Sequence, residues 1–424
     1  MLSTRICRPP FGRPMHTRSF VLPLLVSLAL PAWAREGTAQ LTEAEAVRLA
    51  LSRAAVAQVV EGTIAAARSD AVEAGLWPNP ELSFARERAD GGPSASSEHY
   101  LWLSQTVDLA GRRGLQRKAA GHRVGRAVHE AEALRRDLAA ETRVRFLETL
   151  LAQERVALAR RFSARVERLA LTVGKREAAG DASGYDRRRV EREASFASGR
   201  LHAAEASLES ARARLGVLIG GAHDPTAPLV VAGTLPPDEL PPLESVQAGL
   251  TGTSEIRALE EEAAAAALET TAAARWWLPD LTLGGGYKEV SLPAESLSGL
   301  LLSASVALPI LDRGQGRSLH AKSRHRLALG RRELALARLT GEALGLWQEA
   351  SRLAGAARAQ GSAADPDALE HIAEAAYEGG EAGVLELVDA HRGAIDSALF
   401  VLDLRAAAHR ARIELDRLTG GGPQ

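Results

Sequence analysis

From Arg113 to Arg176 the chain contains no proline, and a helix through that stretch would run roughly 95 Å at 1.5 Å per residue. Val144, Leu147, Leu151, Leu158, Phe162, Val166, Leu169 and Val173 recur along it at threes and fours. They form an apolar stripe one face wide. Glu132 with Arg136 and Glu141 with Arg145 are spaced as i,i+4 pairs on other faces. Beyond a glycine turn at Gly180 to Gly184, Leu201, Leu208 and Leu215 follow at heptad spacing, so the chain is expected to return as the second arm of an antiparallel coiled-coil hairpin. The composition agrees. Hydrophobic residues make up 46% but aromatics only 4%, and the formal net charge of −1 carries no electrostatic footprint for nucleic acid.

The hairpin occurs twice. Arg176 to Glu193 reads REAAGDASGYDRRRVERE, and Tyr377 to Gly393 reads YEGGEAGVLELVDAHRG. Gly180 aligns with Gly380, Asp181 with Glu381 and Asp186 with Glu386, an offset of 380 − 180 = 200. Leu76 to Leu82 (LWPNPEL) matches Trp276 to Leu281 at nearly the same offset, and Asp108 to Arg113 matches Pro309 to Gly314. Three matches in one order at one spacing indicate two structural repeats.

Each half has the same grammar. Thr42-Glu43-Ala44-Glu45 is spaced as a capping box that opens a helix ending at Pro78 and Pro80. Its counterpart begins near Thr253 and ends at Pro279. Two strand-like segments follow in each half: Glu81 to Arg88 with Tyr100 to Val107, and Asp280 to Val290 with Gly299 to Leu308. They are near the 9–11 residues that a tilted strand needs to cross a bilayer. The second long helix starts near Arg317 and is expected to break over Gly361 to Asp367. The repeats therefore span 35–219 and 243–419, joined by a connector at 220–242 with six prolines, and 420–424 is a short tail expected to be disordered.

Residues 1–34 read as a signal peptide. Arg5, Arg8, Arg13 and Arg18 precede the apolar run Phe20 to Leu30, and Ala32-Trp33-Ala34 fits the small-x-small cleavage pattern. Cys7, Met1 and Met15 lie within that segment, so the mature chain has no thiol or thioether and no cysteine placed for lipidation. Exported and without a later apolar span, the chain would meet a membrane only as β-barrel. Four strands cannot close alone, and bare sheet edges are not tolerated in lipid. If the strands lie in a membrane, several copies must pool them into one barrel and their helices into one tube.

Nothing points to catalysis. Gly284-Gly285-Gly286 and Gly314-Gln315-Gly316 lack the lysine and hydroxyl of a phosphate loop, and the histidines show no metal-ligand spacing. The expectation is no enzyme, no cofactor and no metal site.

Order and motifs together resemble the TolC-like outer-membrane factor family. The resemblance rests on Leu76 to Leu82, on Leu308-Pro309-Ile310-Leu311-Asp312-Arg313-Gly314, and above all on Tyr377 to Ala390, YEGGEAGVLELVDA. It covers nearly all of the mature chain and looks closest to the branch serving metal- or drug-resistance pumps. The resemblance implies a mainly α fold with a membrane β-barrel part: a homotrimer with a twelve-stranded barrel set in outer-membrane lipid and an α-helical tunnel in the periplasm of a Gram-negative-type bacterium. It implies two partners, a periplasmic adaptor and an inner-membrane efflux pump of the RND type. The export of small solutes or metal ions and type I protein secretion both fit such a conduit. A soluble periplasmic adaptor or coiled-coil scaffold would account for the helices but leave the strand pairs unexplained.

The resemblance also places function. Glu386 and Asp389 fall where the family carries acidic residues near the periplasmic entrance, and in a trimer each would form a ring of carboxylates attracting cations. Asp186 holds the matching place in the first half and is expected to tie the hairpins together, with Tyr377 as an aromatic constraint. Ala382 stands where some members carry arginine, so their closed-state network does not transfer whole. Gly180, Asp181, Gly184, Gly380, Glu381 and Gly383 are the expected docking tips for an adaptor.

Overall fold

The computed structural model describes residues 40–91, 96–220, 229–235, 240–363 and 366–420. The expected leader, the tail 421–424 and much of the connector lie outside these. Thr42 caps the first helix, α1 (Glu43–Leu51), by accepting the Glu45 amide at 3.3 Å. Only half of the capping box forms, because Glu45 turns to Arg48 at 3.5 Å. A 55° bend then leads into α2 (Ala54–Glu73). The first hairpin is α3 (Arg112–Ala179) and α4 (Gly184–Ile219). At 68 residues, α3 is a rod of roughly 100 Å.

The second repeat has α5 (Leu243–Gly249), α6 (Ser254–Ala274), α7 (Gln315–Ala363), α8 (Pro366–Glu378) and α9 (Val384–Thr419). Gly361 to Ala363 belong to α7 and Pro366 and Asp367 to α8, so helix occupies the described part of the expected interruption, and the two residues between lie outside the described ones. Proline suits the start of α8, since the first helical position needs no amide donor. The left-handed glycines mark the duplication: Gly180 with Gly380 and Gly220 with Gly420 at an offset of 200, and Gly111 with Gly314 at 314 − 111 = 203. The last pair corrects the alignment of Asp108 with Pro309, because the second strand-to-helix connection is the longer one.

The strands are β1 (Glu81–Ala89), β2 (Ser96–Val107), β3 (Leu281–Ser291) and β4 (Ser296–Val306), an antiparallel meander in the order β1-β2-β3-β4. Pairing extends to Ala89↔Ser96 and Ser291↔Ser296, which carries β2 and β4 further toward their turns than the sequence suggests. Register sorts the faces. Phe84 lies opposite Leu101, Leu101 opposite Tyr287 and Tyr287 opposite Leu300; Leu82, Leu103, Gly285 and Leu302 form the next row. These rows share one apolar face, with Leu300 and Leu302 85% and 89% exposed. The opposite face carries Ser83, Ser104, Thr106, Thr282, Ser303 and Ser305. On it Tyr100 and Lys288 both bond Glu98, and Trp102 fills the space a Cβ on Gly284 or Gly286 would need. Arg86 and Arg88 belong to the apolar parity but lie opposite His99 and Ser97, at the turn end.

The repeats are stitched together at the base of the sheet. Arg112, buried at the start of α3, reaches Asp108 and Asp280 and stacks on Trp276 at 4.3 Å. Arg317 covers the same ring at 3.6 Å. Gly314 backs against Trp276 with φ of 80°, where a side chain would be both strained and overlapping. Midway along the helices, Leu41 and Val231 form a parallel bridge, and Gln153 both accepts from the Val231 amide and donates to its carbonyl at 2.9 Å. Leu229, Val231 and Leu235 are buried against Phe146, Leu147, Leu150 and Ile413. The connector is thus part of the core where it is described.

Within α3, Val144, Leu147, Phe162, Val166, Leu169 and Val173 are buried as the stripe requires, with Leu151 and Leu158 at its margin. Glu141 and Arg145 approach to 3.9 Å. Glu132 instead takes His129 at 3.2 Å and Ser254 at 3.0 Å, a tie to the second repeat rather than an i,i+4 pair with Arg136.

Candidate functional site at the hairpin tips

Both hairpins reverse in the same way. The Gly180 amide bonds the Glu177 carbonyl at 2.9 Å and the Asp181 amide bonds the Arg176 carbonyl at 2.8 Å. In the second tip Gly380 bonds Tyr377 at 3.2 Å and Glu381 bonds Ala376 at 2.8 Å. Each is a Schellman motif whose left-handed residue must carry φ near +80°, hence glycine at both. Gly184 and Gly383 have ordinary roles: Gly184 is the first residue of α4, and Gly383 is the extended N-cap of α9. Asp181 and Glu381 are exposed at the ends of the tips.

The turns differ in how the return helix starts. Ser183 caps α4, accepting from the Asp186 amide at 3.0 Å and donating to the Asp186 carboxylate at 2.7 Å. Asp186 is thereby engaged within its own first turn. Gly383 has no side chain to cap with, and the Glu386 carboxylate folds back over the space a Cβ there would occupy. An acidic group in this first turn also meets the positive end of the helix dipole.

Beneath the tips lies a core of Phe162, Val166, Leu169, Val173, Val190, Val384, Leu387, Val388 and Ile395. Tyr377 is buried in it, and Arg176 lies 5.0 Å over its ring, joining the end of α3 to the end of α8. Val384, Leu387 and Val388 turn inward, leaving Glu386 and Asp389 exposed on the other face of α9. The helical carboxylates are not alone there. Arg392 pairs with Glu193 of α4 and has its guanidinium held more basic by that bond, with Asp389 and Asp396 adding to the effect.

The ties between hairpins come from residues that helical spacing did not single out. Glu193 binds Arg392, Arg200 approaches Asp396 at 3.4 Å, and Arg155 meets Asp403 at 2.7 Å. Arg165 of α3 holds Glu370 of α8, which also accepts from His391 of α9. Burial holds the His391 imidazole below its usual pKa and Arg165 adds to this, while Glu374 opposes it. The Glu193–Arg392 pair falls one residue short of the repeat offset (392 − 193 = 199), which is the only sequence signal that pointed toward it.

No family model matches the chain. Over 400 residues it is 26% identical to the cobalt-zinc-cadmium resistance protein CzcC of Cupriavidus metallidurans, covering 92% of this chain and 93% of that protein. Its fold matches the crystal structure of CusC with a TM-score of 0.75 at 18% identity, over 96% of this chain and 99% of that one. It matches the open state of the Neisseria gonorrhoeae outer membrane channel MtrE with a TM-score of 0.72 at 21% identity, over 90% and 89%. The chain therefore shares the fold of these solved channel proteins along nearly its whole described length, in agreement with the resemblance that its motifs carry.

Proposed function

We propose that this chain is the outer-membrane channel of a tripartite efflux system, a passive conduit for small solutes or metal ions. One observation carries the reading: the sheet has an apolar and a polar face, and its first and last strands have open edges. Such a sheet is stable in lipid only when other copies close it. Three copies would give twelve strands, with the serine and threonine face lining the lumen. The helical hairpins of a homotrimer continue that lumen, and the tips around Gly180, Asp181, Gly184, Gly380, Glu381 and Gly383 receive a periplasmic adaptor. An RND-type inner-membrane pump supplies the energy. Divalent metal ions are the proposed cargo, by similarity to the cobalt-zinc-cadmium resistance protein.

Glu386 and Asp389 are exposed one turn apart on α9, and threefold symmetry makes each a ring of three carboxylates. The test is planar-bilayer recording of the purified protein. Wild type should give discrete conductances with cation preference, and Glu386→Ala with Asp389→Ala should lose that preference. No conductance from correctly folded protein would overturn the channel reading, and unchanged selectivity in the double variant would remove the rings.

A further inference from the structure

One cluster of the second repeat is left unused by the gate and the docking tips. Glu370 and Glu374 lie one turn apart on α8, and His391 faces them from α9. One ligand-capable atom from each lies within 4.8 Å of the others. Glu370 and His391 are almost wholly buried, at 2% and 3% exposure.

The hydrogen bonds fix which imidazole nitrogen is available. Arg165 pairs with one oxygen of Glu370, and the other oxygen faces Nδ1 of His391. An ionised carboxylate only accepts, so Nδ1 carries the proton and the lone pair sits on Nε2. That Nε2 lies 3.9 Å from Oε1 of Glu374, too far for a hydrogen bond. Two metal–ligand bonds of about 2.0–2.1 Å meeting at a tetrahedral angle separate their ligand atoms by about 3.3 Å. A shift of about half an ångström in one side chain closes that difference. The second oxygen of Glu374 lies 3.6 Å from Nδ1 of His371, an exposed side chain one turn back on the same helix.

We propose that His391 and Glu374 bind a divalent transition-metal ion between α8 and α9, just behind the second tip, with water completing its coordination. Glu370, held by Arg165, is the positioning residue: a carboxylate accepting the far N–H of a ligating imidazole fixes its ring and raises its basicity. An imidazole and a carboxylate suit zinc, cobalt or nickel, and residues 16–424 contain no sulfur to favour softer ions. A cavity of about 160 Å³, lined by Arg161, Phe162, Arg165, Glu370 and His391, lies on the α3 side of the cluster. A purely structural network would need only Arg165, Glu370 and His391, and would leave the facing of Nε2 and Glu374 unexplained. Sequence spacing hid the site because its ligands come from two helices across a turn, and this revises the expectation of no metal site. The proposal rests on these side chains and not on the channel reading.

The test is titration of the full-length protein, purified in detergent, with Zn²⁺ by calorimetry and with Co²⁺ by visible absorption. Wild type should take up one ion per protomer saturably, with the Co²⁺ spectrum of a four- or five-coordinate site. Glu374→Gln and His391→Asn should each weaken binding by at least about tenfold. His202→Asn is the control, because His202 and Glu205 form an exposed histidine–carboxylate pair, also at 3.6 Å; it should leave binding unchanged. Absence of saturable uptake by wild type, or uptake that survives Glu374→Gln, overturns the site. Glu374 is only partly buried, so this variant decides the matter even if His391→Asn fails to fold. Neither pump nor adaptor is present, so a failure here leaves the conductance result standing, and the reverse holds too.

Discussion

Gly380 and Gly383 sit three residues apart in one turn and ask different things of the chain. Gly380 has φ of 76°, whereas Gly383 is extended at −85° and meets only the movable carboxylate of Glu386. Gly380→Ala should therefore cost about 1–2 kcal/mol, and Gly383→Ala only a few tenths of that; thermal unfolding of the two variants checks the contrast. Both glycines were legible as a turn from sequence, but which one the backbone requires was not. Asp186 teaches the same lesson: the repeat says where it sits, and the structure shows its partner within the chain to be a serine three residues back. A second residue-scale prediction concerns Glu43. Burial alone would raise its pKa, but bonds from His409 and Arg143 outweigh this and hold it below its ordinary 4.5. With a depressed folded value, its contribution is present above the ordinary value and is lost as pH falls through the depressed one. The melting-temperature gap between wild type and Glu43→Gln should thus be widest near neutrality and shrink as the pH falls below 4.5.

Strands were the element least readable from sequence. In β1 the apolar parity of Leu82 and Phe84 passes to Arg86 and Arg88, so alternation along one strand breaks down. Only cross-strand register restores it, by placing the arginines at the turn end and the leucines in continuous rows. Helices, by contrast, declare themselves locally through their i,i+3 and i,i+4 neighbours, which is why the α3 stripe could be read directly. The packing of the connector could not be read from its sequence, because proline content says nothing of burial and Val231 is held by Gln153 from 78 residues away. The two faces of β4 give a sharp prediction. Leu302→Arg, on the apolar face, should cost about 2–4 kcal/mol in a bilayer, while Ser303→Arg, one residue on, should be tolerated and alter conductance instead. Folding yield into lipid vesicles against urea distinguishes them.

At the scale of the molecule, the repeat was legible to within a few residues because it is nearly a pure translation of 200 in sequence. The oligomer was legible only as a requirement: four strands with open edges demand partners, without saying how those partners meet. Chemical cross-linking of the extracted protein should give a ladder that stops at three chains, and a ladder ending at one or two would refute the shared barrel. One asymmetry remains between the halves. The long arm of the first hairpin is a single helix of 68 residues, while its counterpart passes from α7 to α8 at Pro366, which has no amide to carry the helical bonding across. In mechanical terms the first repeat is a continuous strut and the second a jointed one of similar span. Load applied at the tips would bend the second arm before the strut, with Pro366, which cannot donate a helical bond back into α7, as the weak point while α3 holds the frame. Any change in bore would then be driven from one half of the chain only.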